Sequence, residues 1–159
     1  MIRVAVHTVR STEVPASPDE AYALVADVAR SGAHFPKLES LTEEGPGWVW
    51  RLQRIGTKQV SAQTVYGCVY SRDPEERVVR FRPMEGVGNA RVEGSWTVEP
   101  AASGARMTLE TRFEITLELI PRLLQPVAQK IGEHENGKLV EGYLENLRAT
   151  LSGGDGRAR

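Results

Sequence analysis

Cysteine is almost missing. Cys68 stands alone in 159 residues, so no disulfide can form within the chain, and a reducing compartment, the cytoplasm, is the expected setting. Histidine is scarce as well. His7, His34 and His134 fall on different predicted elements, without H-x-x-x-H spacing, so no metal site is expected. Neither sign of charge dominates: 20 Lys and Arg stand against 21 Asp and Glu, a net charge of −1. A nucleic-acid binder needs a basic excess to displace counterions from phosphates, so that partner is not expected. No apolar run is long enough to cross a bilayer, and the first residues lack the apolar stretch of a signal peptide. There is no G-x-S-x-G, phosphate loop or dinucleotide fingerprint. Gly86-Val87-Gly88-Asn89 has one glycine too few and lies between predicted strands, so it reads as a loop and no cofactor is expected. Nothing repeats internally and no Pro-, Gly- or Ser-rich linker divides the chain. One domain over residues 1–151 is expected, with a flexible tail over 152–159.

What is present is patterning. Ile2 to Val14 is β-branched and roughly alternating, a first strand. Ser17-Pro18-Asp19-Glu20 has the form of a capping box with proline in the first turn. Ala21, Leu24, Val25 and Val28 then follow at helical spacing. A short second helix or turn is expected between Ala29 and Phe35. From Pro36 to Leu119 the period is two, cut by turn signals such as Gly45-Pro46-Gly47, Gly56-Thr57-Lys58 and Asp73-Pro74-Glu75, which predicts about six antiparallel strands. In the last of them Met107, Leu109, Phe113, Ile115 and Leu117 share one parity, and charged residues the other. Pro121 opens a helical stretch to about Leu151, with Leu124, Val127, Ala128, Ile131, Leu139, Tyr143 and Leu147 on one stripe. Pro126 predicts a kink or a late start. A one-faced sheet followed by a long helix is an α+β layer arrangement.

That order, with Val14-Pro15-Ala16-Ser17-Pro18-Asp19-Glu20-Ala21-Tyr22 leading to Asp27, resembles the opening of the START-like (SRPBCC) superfamily. This superfamily takes in the polyketide cyclase/dehydrase and lipid-transport proteins, coenzyme-Q-binding proteins and birch-pollen-allergen-like proteins. Asp73-Pro74-Glu75-Glu76-Arg77-Val78-Val79-Arg80-Phe81, Gly94-Ser95-Trp96-Thr97-Val98-Glu99-Pro100 and Pro121-Arg122-Leu123-Leu124 are similar to its later hairpins and its C-terminal helix start. The resemblance implies a helix-grip fold: a curved antiparallel sheet of about six or seven strands wrapped on the long helix, two short helices after the first strand, and a deep apolar cavity. It does not imply one function, since members include carriers, cyclases and binding modules.

Trp48, Trp50, Tyr66, Tyr70, Phe81, Trp96 and Phe113 fall on predicted strands. They form either a plain core or an aromatic-lined chamber; the resemblance favours the chamber. The parity of the Val60 to Tyr70 strand is open: Tyr66, Cys68 and Tyr70 point either inward, the favoured reading, or outward. Thr111 interrupts the apolar parity of the last strand as a candidate cavity hydroxyl, and Ile131 faces it from the helix. Glu135 sits on the helix's apolar stripe, where it is either a ligand contact or acid/base group, or a solvated partner of Lys138. Arg10 is either turned out by a bulge or directed inward towards an anionic head group. Gly132, Gly137 and Gly142 are costly in a helix and suit close approach to the sheet. The leading expectation is a carrier or binding protein for a lipid, isoprenoid or polyketide-like molecule. The alternatives are an aromatase/cyclase-like enzyme acting on a carbonyl compound, and an interaction module with a vestigial cavity. No catalytic residue is assigned: Glu135, Arg10, Tyr66 and Tyr70 are candidates without a clear partner in sequence. No protein partner is indicated.

Overall fold

Alternation builds the sheet. Strand β1 (Ile2–Val14) buries Ile2, Val4, Val6 and Thr8 and exposes Arg3, Ala5, His7 and Val9, the period of two that puts successive side chains on opposite faces. In the computed structural model, which describes residues 1–58 and 60–153, β1 pairs with β9 (Gly104–Leu117) in unbroken antiparallel register from Ile2 opposite Leu117 to Val14 opposite Ala105. No bulge turns Arg10 outward. It keeps the inward parity, but its guanidinium reaches along the helix side to Glu141 at 3.2 Å and to the Val9 carbonyl at 2.9 Å.

The first helix, α1 (Pro18–Ala26), starts as its sequence dictates: Ser17 Oγ accepts from the Glu20 amide at 3.1 Å, and the Ser17 amide donates to the Glu20 carboxylate at 3.4 Å. This satisfies two donors that a helix start leaves unpaired. Asp27 ends α1 and caps α2 (Val28–Gly32), accepting from the Arg30 amide at 3.1 Å. Then come β2 (Leu38–Glu44), β3 (Gly47–Leu52), β4 (Ile55–Gly56), β5 (Ser61–Ala62), β6 (Val65–Asp73), β7 (Val78–Pro83) and β8 (Ala90–Ala101), which leads into β9. Seven strands form one sheet in the order β1-β9-β8-β7-β6-β3-β2, while β4 and β5 form a separate ribbon. That ribbon interrupts the period of two after Leu52: Ser61–Ala62 pairs with Ile55–Gly56, and the sheet strand begins only at Val65.

A 3-10 turn at Arg122–Leu124 precedes α3 (Gln125–Ser152). The α-helix therefore starts later than Pro121, with Pro126 in its first turn, where a missing N–H costs little. Its 28 residues span about 42 Å and take in Ser152; residues 154–159 of the expected tail lie outside the described residues. The two halves of α3 are held differently. Leu139, Val140, Tyr143, Leu144 and Leu147 are buried, and most pack with α1, β8 and β9. In the first half only Ala128 is buried. That half is tied to the backbone of the edge strand β1 through two side-chain amides: Gln125 Nε2 donates to the Arg3 carbonyl at 2.6 Å, while Gln129 donates to the Ala5 carbonyl at 2.7 Å and accepts from the Ala5 amide at 3.3 Å. The Gln129 side chain thus occupies the place of a neighbouring strand. Replacing it with alanine is expected to speed hydrogen exchange at the Ala5 amide about tenfold, as loss of a single hydrogen bond should, with global stability little changed. Unaltered Ala5 protection would show that the amide does not hold the helix down.

Candidate functional site

One register row crosses the concave face of the sheet: Thr8, Thr111, Gly94, Phe81 and Tyr70 stand opposite one another in turn on β1, β9, β8, β7 and β6. Between this floor and α3 lies a cavity of about 130 Å3, flanked by α1, α2 and the β4–β5 ribbon. Gly94 is required on the floor. Its φ is +159°, and a Cβ there would lie 1.9 Å from the Glu110 carbonyl oxygen and 3.1 Å from the Phe81 ring. Gly132 does the same for the roof: a Cβ would lie 2.6 Å from Val4, so glycine lets α3 settle on β1.

Trp50, Tyr66, Tyr70, Phe81, Trp96, Thr111, Phe113, Ile131 and Glu135 all line the cavity. Trp48 does not. It shares the face of Trp50, but it pairs with Glu43 next to the β2–β3 turn, at the far side of the sheet from α3, and packs half-buried there. The lining also includes Ser31 and Phe35 from α2 and the loop after it, and Asn136 and Tyr143 from α3. Sequence alone read Tyr143 as one more stripe residue and gave Phe35 no role. The available signal was Phe35 as a lone aromatic next to a predicted short helix.

The aromatic walls are ordered by contacts. Trp50 stacks on Tyr66 with centroids 5.8 Å apart and an 11° interplanar angle, and Phe35 meets Trp50 and Tyr143 edge-on at 5.7 and 5.1 Å, geometries that ring quadrupoles favour. Trp50 Nε1 donates to the Tyr70 hydroxyl at 2.9 Å, and the Ser31 and Tyr143 hydroxyls bond to each other. The Cys68 thiol donates to the Val92 carbonyl at 3.4 Å. Burial pushes Tyr66, Tyr70 and Tyr143 above the usual phenol range and pushes Cys68 up to about 12, because the charged forms would lose their hydration. All four are neutral at pH 7. Glu135, the one charged residue among those lining the cavity, is partly exposed and lies 3.7 Å from Lys138. Both sequence-level readings of this residue thus meet in one place: it borders the cavity and pairs with Lys138. Arg10, tied to Glu141, is not part of the lining. Among the described residues no cluster of His, Cys, Asp and Glu suits a metal ion, and no helix is long and apolar enough to cross a membrane.

A family model for polyketide cyclase / dehydrase and lipid transport matches residues 5–152. The chain belongs to this family. No curated protein matches it by sequence. Among solved structures, a protein of Thermus thermophilus is 26% identical, with a TM-score of 0.61 over 93% of this chain and 99% of the other. The Zhui aromatase/cyclase of a Streptomyces species is 19% identical, with a TM-score of 0.62 over 92% and 95%. Major latex-like protein 151 of Panax ginseng is 13% identical, with a TM-score of 0.60 over 94% and 99%. At such identities the last two establish a shared fold, the START-like helix-grip arrangement. In this member of the polyketide cyclase / dehydrase and lipid transport family, the grip is tight at the C-terminal half of α3 and hollow at its N-terminal half.

Proposed function

We propose that the protein binds a hydrophobic small molecule of lipid, isoprenoid or polyketide-like kind between its sheet and α3, as a carrier or binding protein, with the residues lining the cavity as its contacts. The observation that carries this reading is a chamber that aromatic side chains wall without filling, since interiors otherwise pack densely and a void forfeits dispersion contacts. Binding is favoured over acid/base chemistry by the lining itself. Burial raises its phenols and thiol further above neutral pH, whereas a general acid or base works best with a pKa near the operating pH. An interaction module with a vestigial cavity draws on Leu119 and Leu123, which are 95% and 89% exposed at the β9–α3 junction. It leaves the aromatic chamber without a purpose.

Two measurements on the full chain test the proposal. Native mass spectrometry of detergent-free preparations is expected to show an apolar compound that leaves on denaturation. Val92, on the cavity wall, is the position to block: Val92→Trp is expected to weaken saturable binding of the neutral dye N-phenyl-1-naphthylamine at least tenfold. Protein that is always empty and gives no saturable dye signal would sink the reading.

A further inference from the structure

The cavity carries a polar atom that the protein does not use. Thr111 is 92% buried, lines the cavity, and its hydroxyl has no hydrogen-bond partner. A buried hydroxyl left unpaired is costly, and nearly all such groups in folded proteins find a partner. Its neighbours in the register row do not supply one. Thr8 Oγ1 accepts from Asn136 Nδ2 at 2.8 Å and makes no bond to Thr111. Gly94, on the other side, has no side chain to offer. Thr111 and the Trp50, Tyr66 and Phe81 rings line the same cavity, so its wall sets a hydroxyl without a partner among aromatic rings. The charge inventory narrows what could fill it. Among the described residues no lysine, arginine or histidine lines the cavity, and the one ionised group that does is the Glu135 carboxylate. A ligand with a buried carboxylate or phosphate would face an acidic residue with no cation to pair with, which the desolvation cost of an ion forbids.

We propose that the ligand is a neutral ring compound carrying a carbonyl or hydroxyl oxygen, and that this oxygen hydrogen-bonds to Thr111 Oγ1. The proposal rests on the cavity being a ligand site and adds the ligand's chemical class and the residue that selects it. A hydroxyl both donates and accepts, so a ketone and a phenol meet Thr111 equally well. A bare hydrocarbon leaves it unpaired, and a site built to bond an oxygen discriminates against the analogue lacking one.

Calorimetric or NMR titration of the full chain at pH 7 with 2-naphthol, naphthalene and 2-naphthoate gives the test. The neutral alcohol is expected to bind about fivefold to tenfold tighter than naphthalene, the worth of one hydrogen bond, and the anion at least tenfold weaker than the alcohol. In Thr111→Val the alcohol should fall to the level of naphthalene, while naphthalene itself is unchanged within about twofold; Thr111→Ser should keep the preference. A preference that survives in Thr111→Val, or naphthoate binding as tightly as naphthol, overturns the proposal and leaves the cavity site standing. Failure of all three to bind overturns both.

Discussion

Leu147→Ala is expected to lower the unfolding free energy by roughly 3–5 kcal/mol, the upper part of the range for a buried leucine. Leu147 is fully buried and does not line the cavity; it belongs to the core cluster that includes Leu24, Val98, Met107 and Tyr143. These partners sit on α1, β8, β9 and α3 itself, so no single mobile element can move in to fill the space. The loss would take a large share of a typical domain's 5–15 kcal/mol. Ile131 provides the contrast. It lies on the same helix but borders the cavity and is only half-buried, so Ile131→Ala enlarges a space that exists already and is expected to cost about 1–2 kcal/mol, near or below the low end of the same range. Urea midpoints for the two variants give the comparison. A Leu147→Ala loss under about 1 kcal/mol would mean that the gripped end relaxes as readily as the hollow one.

The second large effect is alkaline. Cys68, Tyr66, Tyr70 and Tyr143 all have folded-state pKa values raised chiefly by burial, from ordinary values of 9.0 for the thiol and 10.0 for the phenols. A raised value means that the native state holds a proton the unfolded chain releases. The stability this represents is present in full below the unfolded values, and it is lost as pH rises from about 9 towards the folded values. For Cys68, with a folded value of about 12, the loss by pH 11 is roughly 2–3 kcal/mol, and the phenols add losses of the same sign. Cooperative unfolding between pH 9 and 12, followed by far-UV circular dichroism, is the expected result, together with a flat profile from pH 6 to 8. Cys68→Val should move the alkaline midpoint upward. A protein that stays folded at pH 12 would mean that these side chains reach solvent.

The ends of the fold were legible because their signals are local. Ser17 and Glu20 need only each other and the intervening turn to form a cap, and the parity of Met107 to Leu117 needs only a one-sided sheet. The site was legible in part. Tyr66, Tyr70, Phe81 and Thr111 have inward parity and line the cavity. Parity says which face a residue is on, but not how far along that face the covering helix reaches, and Trp48 shares the face of Trp50 without bordering the cavity. The role of Arg10 depended on a partner 131 positions away, Glu141, and Ser31 meets Tyr143 across 112. No periodicity encodes such pairings, which arise only when α3 is laid across the sheet.

The amide clamp from Gln129 to Ala5 has a bearing on solution behaviour. Strand β1 ends the sheet, and an unpaired strand edge is a template for adding another chain. The side chains of Gln125 and Gln129 fill that edge at Arg3 and Ala5. If the first half of α3 lifted to admit a guest, those bonds would break. Ligand entry by that route and self-association would then begin with the same event, and a closed chain would be the form that best resists aggregation.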